Sequence, residues 1–278
     1  NATLEFAQSS SGSYAGVISG SGNVFKTGAG SLTLTGLNTY AGTTTISEGS
    51  VFGSTASLPG PIVNNATLIF AQSVDGTFAN VISGTGAVIK AGAGTLTLTG
   101  ANTYTGTTTV EVGRLIVEAS ALNGDVVNNA TLEFDQSSND LYSGVISGSG
   151  DVVKSGTGSL QLTGANTYTG TTTVSGGALF GTTASLPGAI TNNGRVFFAQ
   201  GFDGIFSDVI SGTGEVVKAG NGTVTFSAAQ SYTGKTTVGS GTLNLEGSVA
   251  GDLDLLANGR LAGNGSVGGA VTVVTGGT

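Results

Sequence analysis

Any chemistry in this chain has to come from carboxylates, lysines and hydroxyls. The sequence holds 16 Asp and Glu and eight Lys and Arg, with no His and no Cys. Without those two residue types neither a Ser-His-Asp nor a Cys-His nucleophile can be assembled, and no His or Cys metal site can form. What remains is carboxylate chemistry of the kind that cleaves sugars. That needs acids held close together with a cation near the substrate. The acids here are scattered. Glu5 and Glu133 occupy matching places in two repeats, but Ile69 and Phe197 fill that place in the others. Asp252 and Asp254 are a close pair on one strand face, which surface solubility explains better than catalysis. There is no Gly-x-Ser-x-Gly elbow and no Gly-Gly-x-Gly-x-Asp calcium nonapeptide. No catalytic residue, cofactor or metal site is expected.

Composition narrows the class further. Charged residues are 9 % of the chain, the net charge is −8, and 50 of 278 residues are Gly. Disorder goes with high charge and few β-branched residues, whereas Thr, Val, Ile and Leu abound here. An acidic chain with eight cations is a poor match for phosphate neutralisation, so no nucleic-acid partner is expected. No apolar run reaches the roughly 18–20 residues a spanning helix needs. The sequence starts and stops within its own pattern, which reads as a segment cut from a longer chain.

The elements that would position these residues follow from one repeated stretch. Gly94-Thr-Leu-Thr-Leu-Thr-Gly-Ala-Asn-Thr-Tyr-Thr-Gly-Thr-Thr-Thr-Val110 has near copies at Gly30–Ile46 and Gly158–Val174 and a looser one at Gly222–Val238. The copies start 64 residues apart without an insertion. A fixed long period marks a solenoid or array. The repeats are 1–64, 65–128, 129–192 and 193–243, followed by further coils over 244–278, all in one β-helix. Leucine and threonine alternate in Leu96-Thr-Leu-Thr, so they take opposite faces of a strand. No segment shows a helical period, and essentially no helix is expected.

These strands fit an all-β fold, a parallel β-helix with about three coils of roughly 20–24 residues per repeat. Expected stacks are Leu4, Val24, Ile46 and Leu68 in one column, Leu32 and Val51 in a second, and Val17, Tyr40 and Ile62 in a third. Leu32/Leu34, Leu96/Leu98, Leu160/Leu162 and Val224/Phe226 should point inward, with Thr33, Thr97, Gln161 and Thr225 outward. Gly and Asn are expected at corners that take positive φ. The Asn-Asn doublets read as such corners, with glycosylation at Asn-Ala-Thr as the alternative.

Four features recur on predicted surfaces. Lys26, Lys90, Lys154 and Lys218 end a strand before a turn, where each is expected to close the turn, cover apolar surface and discourage edge pairing. A lysine row facing an anionic surface is the alternative. The rows Tyr14/Phe78/Tyr142/Phe206 and Tyr40/Tyr104/Tyr168/Tyr232 read as core or corner packing, or else as a carbohydrate-stacking stripe. Outward threonines, Thr97, Thr107 and Thr109 among them, make a solvated β-face or a self-associating ladder. Phe197 and Phe202 break the pattern at outward or loop positions and complete the candidate contact residues.

The motif Gly-x-Leu-x-Leu-x-Gly-x-Asn-Thr-Tyr-x-Gly-x-Thr-Thr-Val, at residues 94–110 and 158–174, resembles the passenger-associated repeat of bacterial autotransporters. Gly259–Val273 is similar to the coils near the C-terminal ends of such passengers. Copy four departs, with Gln230-Ser-Tyr for Asn-Thr-Tyr and Lys235 in the threonine run. The resemblance implies a right-handed β-helix, secreted through the Gram-negative outer membrane with a C-terminal β-barrel of the same polypeptide outside this segment. It implies display at the cell surface or release, with host or bacterial surface ligands, or the chain itself, as partners. Lack of cysteine suits that route, since disulfides formed in the periplasm would obstruct threading. The implied function is a structural, adhesin-type stalk segment that supports adhesion or self-association and outward folding. The alternative is a β-helical polysaccharide-degrading enzyme.

Overall fold

The computed structural model describes residues 2–274, and the chain divides after Glu133 into two compact units. In the first unit, Thr3–Ala7, Asn23–Thr27, Thr44–Ile46, Ile62–Asn64 and Ile82–Ser83 stack as one sheet. Gly12–Tyr14, Ser31–Leu34, Ser50–Gly53, Thr67–Ala71, Ala87–Ala91, Thr108–Val110 and Val126–Asn128 form a second sheet. Gly76–Phe78, Thr95–Leu98 and Arg114–Val117 lie on a third face. The second unit repeats the scheme, for example through Asp140–Tyr142, Ser159–Leu162, Ala178–Gly181, Arg195–Ala199 and Glu215–Ala219. The pairings within each unit are parallel, as in a β-solenoid, and join residues 17 to 20 apart, such as Ser50 with Thr67 and Thr3 with Asn23.

The coils are shorter than expected, and this changes how the repeat maps onto them. One column runs Gly12, Leu32, Val51, Leu68. Gly76, the repeat partner of Gly12, then opens a column on the next face with Leu96 and Leu115. A repeat is therefore three coils plus one face. In the second unit Asp140, Leu160, Leu179 and Val196 form one column, and Gly204, Val224 and Leu243 the next. Leu4 does stack on Val24 and Leu32 on Val51. Ile46, however, sits between Lys26 and Asn64, and Leu68 belongs to the column of Val51. Ile62 stacks between Thr44 and Ile82, while Val17 is 60 % exposed and belongs to no interior column. The expected first and third columns fail because they assumed a longer coil.

Alternation holds where it was sharpest. All eight aliphatic and aromatic residues of the Leu32/Leu34-type pairs are buried. Thr33, Thr97 and Thr225 are half-buried on the outer face, and Gln161 is exposed. Each inward side chain of this size contributes ~1.5–3 kcal/mol. Phe70, Phe134 and Phe198 pack on Phe78, Tyr142 and Phe206 with centroids 5.2–5.4 Å apart, so this aromatic row is core. Tyr14, on the first coil, is 38 % exposed.

The corners are turned differently from expectation. Positive φ falls on glycines alone among the described residues. Gly92 has φ 82°, and a Cβ there would sit 2.3 Å from the carbonyl oxygen of Gln72 on the preceding coil. Asn64 turns its corner with negative φ. It is buried, its Nδ2 donates to the Ala87 carbonyl at 2.8 Å, and its Oδ1 accepts from the Ala66 amide. A side-chain amide thus replaces the backbone conformation that asparagine was expected to supply. Among the described residues one short 3₁₀ turn, Ala119–Ala121, interrupts the β structure.

Candidate functional site

The four lysines close the turn after each strand, as expected, but from inside the coil rather than from its edge. Lys26, Lys90, Lys154 and Lys218 do not lie on the surface; each is at most 2 % exposed. Period two explains this: in Val88-Ile-Lys90 the lysine is two places from an inward valine and shares its face. Its stem fills the interior, and the ammonium reaches the corner. Lys90 Nζ donates to the carbonyls of Ala91 at 3.2 Å and Gly92 at 2.7 Å, and to Val112 on the next coil at 2.9 Å. Lys154 reaches Ser155, Gly156 and Gly176, and Lys218 reaches Ala219, Gly220 and Ser240. Lys26 does the same with Thr27, Gly28 and Glu48. Three donors meet three carbonyls at a buried turn, the first of which, that of Ala91 in the case of Lys90, also accepts the Gln72 amide. Desolvation lowers the pKa of each lysine below 10.5, and an acid, Asp75 in the case of Lys90, partly offsets it.

Two further polar ladders lie inside. Asn102 Oδ1 accepts from the Ile82 amide at 2.9 Å and its Nδ2 donates to the Ala121 carbonyl at 3.2 Å, joining three coils. Asn38 and Asn166 repeat the pattern. Gln230 keeps the acceptor role toward the Ile210 amide at 2.6 Å but donates instead to Asp208 and Ala228, which is how copy four absorbs its departure. Tyr40, Tyr104, Tyr168 and Tyr232 are buried, as core packing requires. Each phenol pairs with the hydroxyl of Thr44, Thr108, Thr172 or Thr236 at 2.5–2.7 Å. Burial raises the phenol pKa, to about 12 for Tyr104 and Tyr168.

The candidate contact residues all face outward, three of them in the first unit and two in the second. Thr97 and Thr109 are half-buried on outer faces, and Thr107 is exposed at a corner. Phe202 is 52 % exposed on a turn. Phe197 is half-buried on an outer strand face, where its ring stacks on Phe180 with centroids 4.1 Å apart and planes 11° apart. Arg195 lies 5.0 Å from the Phe197 ring centroid and pairs with Glu215 at 2.9 Å. Sequence reading singled out Phe197 but not Phe180, its partner 17 residues earlier, because the coil length that brings them together was misjudged. In the first unit the same place of the repeat holds Phe52 beside Ile69 and Ile89, lining a shallow groove. No group of three or more acidic side chains is placed to hold a metal ion among the described residues.

The fold and these ladders define a parallel β-solenoid tied internally by a polar residue at fixed places in each repeat. The passenger-associated-transport-repeat family matches residues 24–51, 88–117, 152–179 and 216–245. Four times over, the chain carries the repeat of autotransporter passenger domains. Each matched segment contains one buried lysine, one interior amide and one Tyr–Thr pair, so the repeat signature coincides with the interior ladders. No curated protein and no solved structure matches the chain significantly.

Proposed function

We propose that this chain is a structural stalk segment of an autotransporter passenger, displayed at the cell surface or secreted, and that its outer faces support adhesion or self-association. The observation that carries this reading is the coincidence of the four matched repeats with the interior polar ladders. The repeating residues serve the stack itself, which leaves the outer faces free to vary. In this reading a C-terminal outer-membrane β-barrel of the same polypeptide anchors secretion, and coil-by-coil folding draws the chain outward. Partners are surface ligands of host or bacterial cells, or a second copy. The test expresses the chain in its native polypeptide and probes intact cells with protease and with an antibody to this segment. Cleavage and labelling at the surface, with loss of cell–cell or cell–host attachment on deletion of the segment, support the reading. A segment protected from protease and antibody, and absent from the medium, refutes it.

A further inference from the structure

We propose that the outer face of the third repeat is a saccharide-binding subsite, formed by Asn139, Asp140, Leu141, Ser159, Gln161 and Phe180. The proposal rests on the adhesive reading above for its setting, and it adds the class of ligand. These six residues line one open groove of about 440 Å³. The groove beside Phe52 is equally large, about 450 Å³, and it is the lining residues that set this one apart.

The departures of this repeat from its siblings converge on that groove. The place of Asp140 is Gly12, Gly76 and Gly204 in the other copies, and the place of Gln161 is Thr33, Thr97 and Thr225. Leu141 stands where Ser13, Thr77 and Ile205 stand elsewhere. The outward column then runs Leu141, Gln161, Phe180, Phe197. Phe197 covers one face of the Phe180 ring, since the two are nearly parallel and one coil apart. The opposite face of Phe180 looks along the column toward Gln161 and is a wall of the groove. Leu141, 49 % exposed, is the apolar wall beyond. The amide of Gln161 and the hydroxyl of Ser159 lie between, with Asn139 and Asp140 at the end. Asn139 is fixed there by the Ser159 amide, which donates to its Oδ1 at 3.1 Å.

An aromatic face flanked by amides, a hydroxyl and a carboxylate matches a pyranose ring. The C–H face of the sugar packs on the ring and its equatorial hydroxyls meet the polar groups. Size argues against a protein partner. From Leu141 to Phe197 the column spans four coils, about 15 Å at ~4.8 Å per coil. A strip of that length and one side chain wide covers far less area than the ~800 Å² per partner of a stable protein interface. Charge argues for a neutral sugar, because the nearest cation on this face, Arg195, is already engaged by Glu215.

The test titrates the 278-residue chain with cellohexaose, maltohexaose and N-acetylchitohexaose, read by saturation-transfer NMR. The variants are Phe180→Ala, Gln161→Thr and Asp140→Gly. The last two install residues that the sibling repeats already carry, so they preserve the fold. At least one oligosaccharide should bind, with affinity falling tenfold or more in Phe180→Ala and Gln161→Thr while the thermal midpoint of Gln161→Thr stays at the wild-type value. Absence of transfer from all three sugars overturns the proposal, as does transfer undiminished in the variants. A concentration-dependent self-association that the variants abolish overturns it in favour of a second copy. Surface exposure and attachment are scored separately. A displayed, adherent chain that ignores sugars sinks this proposal and leaves the passenger reading intact.

Discussion

Replacing Lys90 by Met isolates what the buried ammonium does. Methionine keeps most of the stem, so packing changes little. The change removes three N–H donors, now 2.7–3.2 Å from the carbonyls of Ala91, Gly92 and Val112; the Ala91 carbonyl keeps the Gln72 amide, while those of Gly92 and Val112 face an apolar methyl. Hydrogen bonds to a charged group contribute ~1.5–3 kcal/mol each, so three contribute roughly 4–9 kcal/mol. Desolvating the ammonium offsets several kcal/mol of that. The net loss is then about 2–4 kcal/mol, concentrated at one corner. A stacked repeat array opens locally, so the suitable assay is amide hydrogen exchange. Peptides covering 90–94 and 112–115 should exchange roughly 30- to 1,000-fold faster in Lys90→Met, at ~1.4 kcal/mol per factor of ten. Lys235→Met is the control. Lys235 pairs with Asp254 at 2.8 Å but is 45 % exposed, and such a pair contributes only ~0–1 kcal/mol. Exchange in Lys90→Met at the wild-type rate or slower would refute the reasoning, because the desolvation cost would then outweigh the carbonyl bonds.

Leu96→Asp buries an unpaired charge and should cost several kcal/mol, whereas Thr97→Asp, one residue on and facing outward, should cost under about 0.5 kcal/mol; equal losses in urea unfolding would overturn the facing. Alkaline titration followed at 295 nm should show the buried tyrosines ionising together with unfolding. Their folded pKa is raised, to about 12 for Tyr104 and Tyr168, above an unfolded value of 10. Their stabilising share is therefore full below pH 10 and lost as pH climbs through 12, ~2.7 kcal/mol for each of those two. The lysines have folded values lowered by burial, so their contribution rises with pH up to 10.5, and a monotonic fall in stability from pH 8 would contradict them. Deleting residues 65–128 should leave a folded chain, because Ala130–Phe134 offers almost the same side chains to Val51 and its coil as Ala66–Phe70 does. Loss of the β signal in circular dichroism would count against that modularity. Gly92→Ala should destabilise by more than 1 kcal/mol through its positive φ and the crowding by the Gln72 carbonyl, measured as a fall in melting temperature.

Alternation and period were fully legible in the sequence. Leucine against threonine set the facing of each strand, and the 64-residue spacing set the architecture. The coil length was not legible to the residue, because corners carry no side-chain period. An error of a few residues per coil moved Ile46 and Leu68 into the wrong column. The lysines were misread for a different reason: charge was weighted above alternation. The pattern Val-x-Lys placed them inside from the start, and four copies at the same place told against a chance surface residue. The groove beside Phe180 was invisible for want of the register that puts Gln161 and Phe180 side by side.

The buried polar residues answer a problem that a low-complexity repeat creates for itself. Leucine and threonine strands satisfy alternation equally well after a slip of two residues, so hydrophobic burial alone specifies register weakly. A lysine inside the stack removes that freedom. Shifted by two, its ammonium leaves the carbonyls of its own corner and of the next coil and stays buried with nothing to bond. The interior amides act in the same way, since Asn102 bonds the coil before it and the coil after it at once. Each repeat thus carries two devices that penalise misalignment by several kcal/mol. A slip by a whole repeat escapes both, because all four copies present the same ladder. Inside the stack the repeats differ by conservative changes such as Gln230 for asparagine and Val224 for leucine, whereas on the outer face Asp140, Gln161 and Phe197 replace glycine, threonine and glutamate or isoleucine without disturbing the stack.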